Sequence, residues 1–134
     1  AQGIAESNLN PKAKSRVGAQ GIMQIMPASY KEILKKNPYL PKTDEPRWNI
    51  AAGIFYHRMM YRKGKEKKTL PTTERLSLSF ASYNAGLGTM LKAYKKAKKQ
   101  HVDIKEWHQI KPYAPGETRF YVKRIKNLMQ VTSN

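Results

Sequence analysis

A chain of 134 residues with 40% hydrophobic side chains is short enough to be one domain and long enough to bury a core without staples. The absence of cysteine excludes disulfides and thiolate metal sites, and no apolar run approaches the ~20 residues of a membrane-spanning helix. A formal charge of +17, from 26 basic and 9 acidic side chains, points to anionic polymers as partners (nucleic acid, an anionic lipid surface or acidic wall glycans), with a solvated basic surface as the plain alternative.

The chain opens on Ala1 with no recognisable signal peptide, which reads as a processed, cut or partly represented sequence. Residues 1–8 read as the last turns of a helix, with Ile4 and Ala5 toward a core and Glu6 and Ser7 near its end. Asn8, Asn10 and Pro11 stop it, because the residue before proline disfavours the α region. Residues 9–20 form an ordered loop in which Gly18 and Gly21 permit tight backbone and Val17 is an apolar anchor. The segment Ile22, Met23, Ile25 and Met26 is dense enough to be buried and ends at Pro27. Ser29 and Glu32 match a capping box for a helix over 29–36 whose Lys31, Lys35 and Lys36 face solvent. A connector with Pro38, Pro41 and Pro46 follows.

Residues 47–63 carry the longest helical signal, with Trp48, Ala51, Ala52, Phe55, Tyr56 and Met59 on a broad apolar face. Gly53 inside it is best tolerated where another helix packs closely. Residues 63–71 read as an exposed charged loop, solvated by default and an anionic-polymer contact in the sharper reading. Thr72 or Thr73 starts the next helix, with Glu74 in its first turn. Leu76, Leu78, Phe80, Ala81 and Tyr83 make that helix central, and Asn84-Ala85-Gly86 interrupts it. A basic helix over about 88–99 carries Met90, Leu91 and Tyr94 on its apolar side. Asp103 with Glu106 starts a short helix bearing Trp107, and Pro112 and Pro115 end that region. The last helix, 117–130, buries Tyr121, Ile125 and Leu128, and residues 131–134 fray. With no repeat and no sustained alternation, the expected class is all-α, with at most a minor strand or hairpin after Glu6.

Four residue sets sit at helix ends or breaks, where side chains from different elements converge on a cleft. They are Glu6 with Ser7 and Ser15; Gln24 within GIMQIMP; Tyr83-Asn84-Ala85-Gly86; and Glu117-Thr118 with Tyr121. Each has a plainer reading: Ser15 as a loop cap, Gln24 as a partner for buried backbone, Tyr83 as core, and Glu117 as an acid favoured by its helix dipole. His57, His101 and His108 have no metal-site spacing and read as structural or exposed, so neither metal nor other cofactor is expected.

The blocks ESNLNPKAKSRVGAQGIMQIMP, NIAAGIFY, SFASYNAGLGTM and ETRFYVKRI, in that order, resemble the soluble-type lytic transglycosylases, which share a goose-lysozyme-like fold. The resemblance covers residue 4 to about 128, so 1–134 reads as one catalytic domain. It implies cleavage of the β-1,4 bond between N-acetylmuramic acid and N-acetylglucosamine in peptidoglycan. By that resemblance Glu6 is the general acid and then the base, and the muramoyl C6 hydroxyl attacks C1 to give a 1,6-anhydro end. The substrate's own N-acetyl group then replaces the second carboxylate of the usual two-carboxylate scheme. The resemblance places Ser15, Gln24, Met26, Tyr83, Asn84, Glu117 and Tyr121 at the substrate. It also implies peptidoglycan strands as partner, in an envelope, a periplasm or a phage virion, within a larger envelope-spanning or virion assembly and with no specific nucleic acid.

Burial against GIMQIMP is expected to raise the pKa of Glu6. The glutamate helix is shorter than the family's, so an N-terminal part or a partner is expected to complete it. The competing functions are a lysozyme-type muramidase that hydrolyses the same bond, with Glu45 or Glu74 as a second carboxylate; a basic nucleic-acid-binding module, for which no motif is present; and a catalytically weak wall-penetration subunit.

Overall fold

The helical periods of the sequence become seven α-helices among the described residues of the computed structural model, which are 1–41, 45–64 and 69–133. They are α1 (Gln2–Ser7), α2 (Pro27–Lys36), α3 (Pro46–Arg62), α4 (Thr72–Ala85), α5 (Leu87–Gln100), α6 (Trp107–Ile110) and α7 (Gly116–Ser133). The all-α class holds. The hairpin expected after Glu6 reduces to two isolated antiparallel bridges, Lys14 with Gln20 and Gln20 with Ile25. Part of the proline-marked connector (42–44), the centre of the charged loop (65–68) and Asn134 lie outside the described residues. The chain divides into two units, Ala1–Tyr56 and His57–Asn134.

In the first unit, α1 ends earlier than the proline rule requires. Asn8 takes the left-handed conformation (φ 53°), and its N–H reaches the carbonyls of Gly3 and Ile4. Leu9 follows with φ 62°. Asparagine tolerates this region better than most residues, so the helix closes there and Pro11 is not its terminator. Gly18 and Gly21 have positive φ, as their tight turns require.

The compact apolar segment is buried as expected at Ile22, Met23 and Ile25, while Met26 is half-buried. Val17 is not an anchor: it is 73% exposed, because the turn closes through backbone and Ser15 hydrogen bonds that leave its side chain outside. The capping box on Ser29 and Glu32 is also absent. Pro27 is the first residue of α2, with Met26 as an extended N-cap and no side-chain cap. A proline at this position needs no N–H partner and presets φ, so it starts the helix and leaves Ser29 inside the first turn. Gly53 serves a close approach, but not of a helix: a Cβ there would lie 2.6 Å from Cβ and Cγ of Met23.

In the second unit, α4 packs against α5, α6 and α7. Ser77 to Ser82 are buried in unbroken sequence, which suits a helix covered on all sides. The serines that the apolar pattern passes over are satisfied internally: Ser77, Ser79 and Ser82 donate to the carbonyls of Thr73, Arg75 and Leu78 at 3.2, 2.7 and 2.8 Å. Gly86 (φ 93°) makes the sharp joint between α4 and α5. The short helix starts at Trp107, not Asp103, because Glu106 and Gln109 form a reciprocal capping box. Tyr121, Val122 and Ile125 form the buried face of α7, with Leu128 half-buried. The helical backbone continues to Ser133, past the expected fraying point.

Candidate active site

Glu6 stands half-buried in the last turn of α1. Its neighbour Ser7 fixes that turn: the hydroxyl donates to the carbonyl of Ile22 at 2.8 Å and accepts the N–H of Asn10 at 3.2 Å. The residue after the carboxylate therefore ties the helix end to GIMQIMP. Gly3 allows the approach, since a Cβ there would meet Leu9 Cδ2 at 3.0 Å and Ile22 Cγ2 at 3.1 Å.

Ser15 and Gln24 are occupied by the loop that carries them. The Ser15 hydroxyl accepts the N–H of Ala19 at 2.9 Å, and the Ser15 N–H donates to the Ala19 carbonyl at 2.9 Å. Gln24 has φ 48°, and its Nε2 donates to the carbonyls of Gly21 and Ala13 at 2.9 and 3.2 Å. The Ser15 hydroxyl satisfies a backbone N–H of the folded-back loop, whereas Gln24 Nε2 adds a second bond to the Ala13 and Gly21 carbonyls, which already accept the N–H groups of Gly21 and Gln24.

Asn49, which opens the NIAAGIFY block without a role assigned to it, organises this unit. Its side chain is buried on α3: Oδ1 accepts the Met23 N–H at 2.8 Å, and Nδ2 donates to the Gln20 carbonyl at 3.0 Å and the Tyr30 hydroxyl at 3.2 Å. The available signal was positional. Asn49, Ala52, Gly53 and Tyr56 share one helical face, and a polar residue on an apolar face needs partners.

In the second unit, Tyr83 is half-buried near the end of α4, and its ring centroid lies 6.5 Å from that of His57. His57 stacks on Phe80 at 4.5 Å, a structural contact as expected. The structure brings together two of the expected sets: the Asn84 side-chain oxygen accepts the hydroxyl of buried Thr118 at 2.8 Å, joining the end of α4 to the start of α7. Glu117 is exposed in the first turn of α7, and Tyr121 is buried.

The carboxylates named for a hydrolytic mechanism have other work. Glu74 accepts the Trp107 N–H at 2.7 Å, joining the first turn of α4 to α6, and exposed Glu45 lies 3.7 Å from Arg47. A separate cavity of about 550 Å³ in the first unit is lined by Lys12, Lys14, Gln20 and Asn49 among others, and by none of the expected site residues.

The family model described as the transglycosylase SLT domain matches residues 3–106, a span that holds Glu6, Ser15, Gln24, Met26, Tyr83 and Asn84 but ends before Glu117 and Tyr121. The chain is similar to membrane-bound lytic murein transglycosylase F of Shewanella halifaxensis, at 30% identity over 90% of this chain and 24% of the relative. Proteins of the same name from Vibrio vulnificus (31% identity, 82% of this chain, 20% of the relative) and Yersinia pestis (30%, 87%, 23%) are similar to it too. The chain thus spans a quarter or less of the length of these relatives. By the extent of the matched domain, with Glu6 at the helix end that Ser7 pins, this chain belongs to the transglycosylase SLT domain family.

Proposed function

We propose that the chain is the catalytic module of a peptidoglycan lytic transglycosylase. The observation that carries the reading is the half-buried carboxylate of Glu6 on a helix end that Ser7 holds to the Ile22 carbonyl, inside the matched family domain. A general acid needs a fixed position more than it needs a strong charge, and such proton transfer contributes typically ~10²–10⁴-fold.

Glu6 donates its proton to the glycosidic oxygen as the bond from C1 of the muramoyl residue breaks. The substrate's N-acetyl group stabilises the resulting centre. Glu6, now a carboxylate, takes the proton of the C6 hydroxyl as that oxygen bonds to C1. The carboxyl regains its proton, a 1,6-anhydromuramoyl end forms, and no water is consumed. Ser15, Gln24 and Met26 shape the wall beside the acid. Tyr83 and Asn84 bind the substrate, Tyr83 through its hydroxyl, with Glu117 and Tyr121 supporting them through α7. The bonds of Ser15 and Gln24 to backbone make them fixed walls in this scheme.

The names of the similar proteins support a murein substrate and a place of action in the envelope or periplasm. In this reading the module works within a larger assembly. Among the described residues no helix is long and apolar enough to cross a membrane. Mass spectrometry of the fragments released from purified sacculi tests the reaction. Anhydromuramoyl ends support it, and reducing muramoyl ends assign the domain to hydrolysis instead.

A further inference from the structure

α5 carries a charge pattern that neither the fold nor the proposed chemistry uses. Met90, Ala93, Tyr94 and Ala97 bury one side of the helix, while Lys92, Lys95, Lys96, Lys98 and Lys99 are exposed. At helical spacing Lys92, Lys95, Lys96 and Lys99 form one stripe about 10 Å long. Like charges three and four residues apart destabilise a helix. The helix dipole favours the lysines of the last turn but not Lys92, in the second turn.

The second unit supplies no neutralising group for this stripe among its described residues. Glu74 accepts the Trp107 N–H, Asp103 lies 3.6 Å from Lys105, Glu106 lies 2.8 Å from His108, and Glu117 occupies the first turn of α7. The ammonium groups of α5 make no ion pair with any of these four acids, so the stripe stands as an uncompensated positive face among the described residues of this unit.

The chemistry of the face narrows the partner. Its other exposed residues are Gly88, Thr89 and Gln100. It offers no aromatic ring to stack on a base and no guanidinium to fork a base edge or a phosphate, so it lacks the groups that select nucleic acid over other polyanions. It has no exposed apolar side chain on the helix to enter a lipid interface. Lysine ammoniums are hydrated point charges, suited to a series of separate carboxylates.

We propose that the lysine stripe of α5 is a second, non-catalytic binding surface for the carboxylate-bearing peptide stems of peptidoglycan. This rests on the reading of the chain as a peptidoglycan-cleaving module. The surface retains the enzyme on its polymer between cleavages, through contacts that salt screens within about 8–10 Å at ordinary ionic strength.

The test is equilibrium binding to purified sacculi at increasing sodium chloride, with Glu6→Gln present throughout so that the polymer stays intact. One variant replaces Lys92, Lys95, Lys96 and Lys99 by Gln, which keeps helix propensity. A second replaces Lys12, Lys31, Lys35 and Lys36 by Gln and removes the same charge elsewhere. The first is expected to bind about tenfold more weakly at low salt, and the second within about twofold of the parent. Arginine at the same four α5 positions is expected to restore binding, which separates lost charge from lost folding. The α5 dependence should vanish on sacculi whose peptides have been removed by an amidase.

Equal weakening by both glutamine variants overturns the proposal, as does an undiminished α5 effect on peptide-free glycan. Tighter α5-dependent binding to duplex DNA or to anionic phosphatidylglycerol vesicles than to sacculi overturns it in favour of those partners. Salt-sensitive, α5-dependent binding by a parent chain that fails to cleave sacculi supports the surface and removes only the catalytic reading.

Discussion

The backbone N–H of Met23 donates to the buried side-chain oxygen of Asn49 across 2.8 Å, and this bond holds the apolar turn after Glu6 against α3. The same side chain also bonds the Gln20 carbonyl and the Tyr30 hydroxyl. Replacing Asn49 by Leu removes that partner from all three groups, of which the Gln20 carbonyl keeps the Ile25 N–H. At about 1–3 kcal/mol for an unsatisfied group, with partial relaxation, the expected loss is about 2–4 kcal/mol. Urea unfolding measures it, and a loss below about 1 kcal/mol contradicts the role given to Asn49.

Gly53 and Met23 give a prediction whose sign opposes helix propensity. Alanine in a helix interior is normally about 1 kcal/mol better than glycine. Here the new methyl meets Met23 Cβ and Cγ at 2.6 Å, and Cβ cannot swing away as a side-chain tip does. Overpacking of this kind costs about 1–3 kcal/mol, so Gly53→Ala is expected to lower stability. A raised midpoint of thermal unfolding contradicts the packing described for Met23.

Glu74 is expected to act through Trp107 and not only through the dipole of α4. Glu74→Ala removes the acceptor of the Trp107 N–H and should cost about 1–3 kcal/mol. Glu74→Gln keeps an acceptor and should recover more than half of that loss. If the two variants are equally destabilised, charge at the helix start is the dominant effect.

Val17 provides the opposite check. Its side chain is 73% exposed, so Val17→Thr should change stability by no more than about 0.5 kcal/mol. A loss above 1 kcal/mol would restore it as the apolar anchor of its loop.

These residues also show what the sequence makes legible. The helices α3, α5 and α7 are readable because one-sided burial imposes a period near 3.6 over several turns, whereas α4, buried without a break from Ser77 to Ser82, is readable from its length and its apolar density. The burial of Ile22, Met23 and Ile25 follows from their density. Boundaries depend on competition between local signals. Pro27 prevails over Ser29 at the start of α2, and Asn8 closes α1 before Pro11 can. Val17 fails as an anchor because the loop closes through its own backbone.

The NIAAGIFY block marks Asn49 but not its network, since two of its three partners are backbone atoms of residues far off in sequence and a side-chain pattern does not mark backbone. The Glu74–Trp107 and Asn84–Thr118 bonds are long-range in the same way. Glu6 is singled out as a candidate by the block around it. Ser7, its neighbour, is the residue whose bond to Ile22 gives that block its shape.

In the proposed mechanism Glu6 alone carries the proton in both steps. The direct measurement is mass spectrometry of products from purified sacculi treated with the parent chain and with Glu6→Gln, whose fold is checked by circular dichroism. The parent is expected to release fragments with 1,6-anhydromuramoyl ends, and the folded variant to lose at least about 10²-fold of that activity. Near-parental release of anhydro products by Glu6→Gln contradicts the claim.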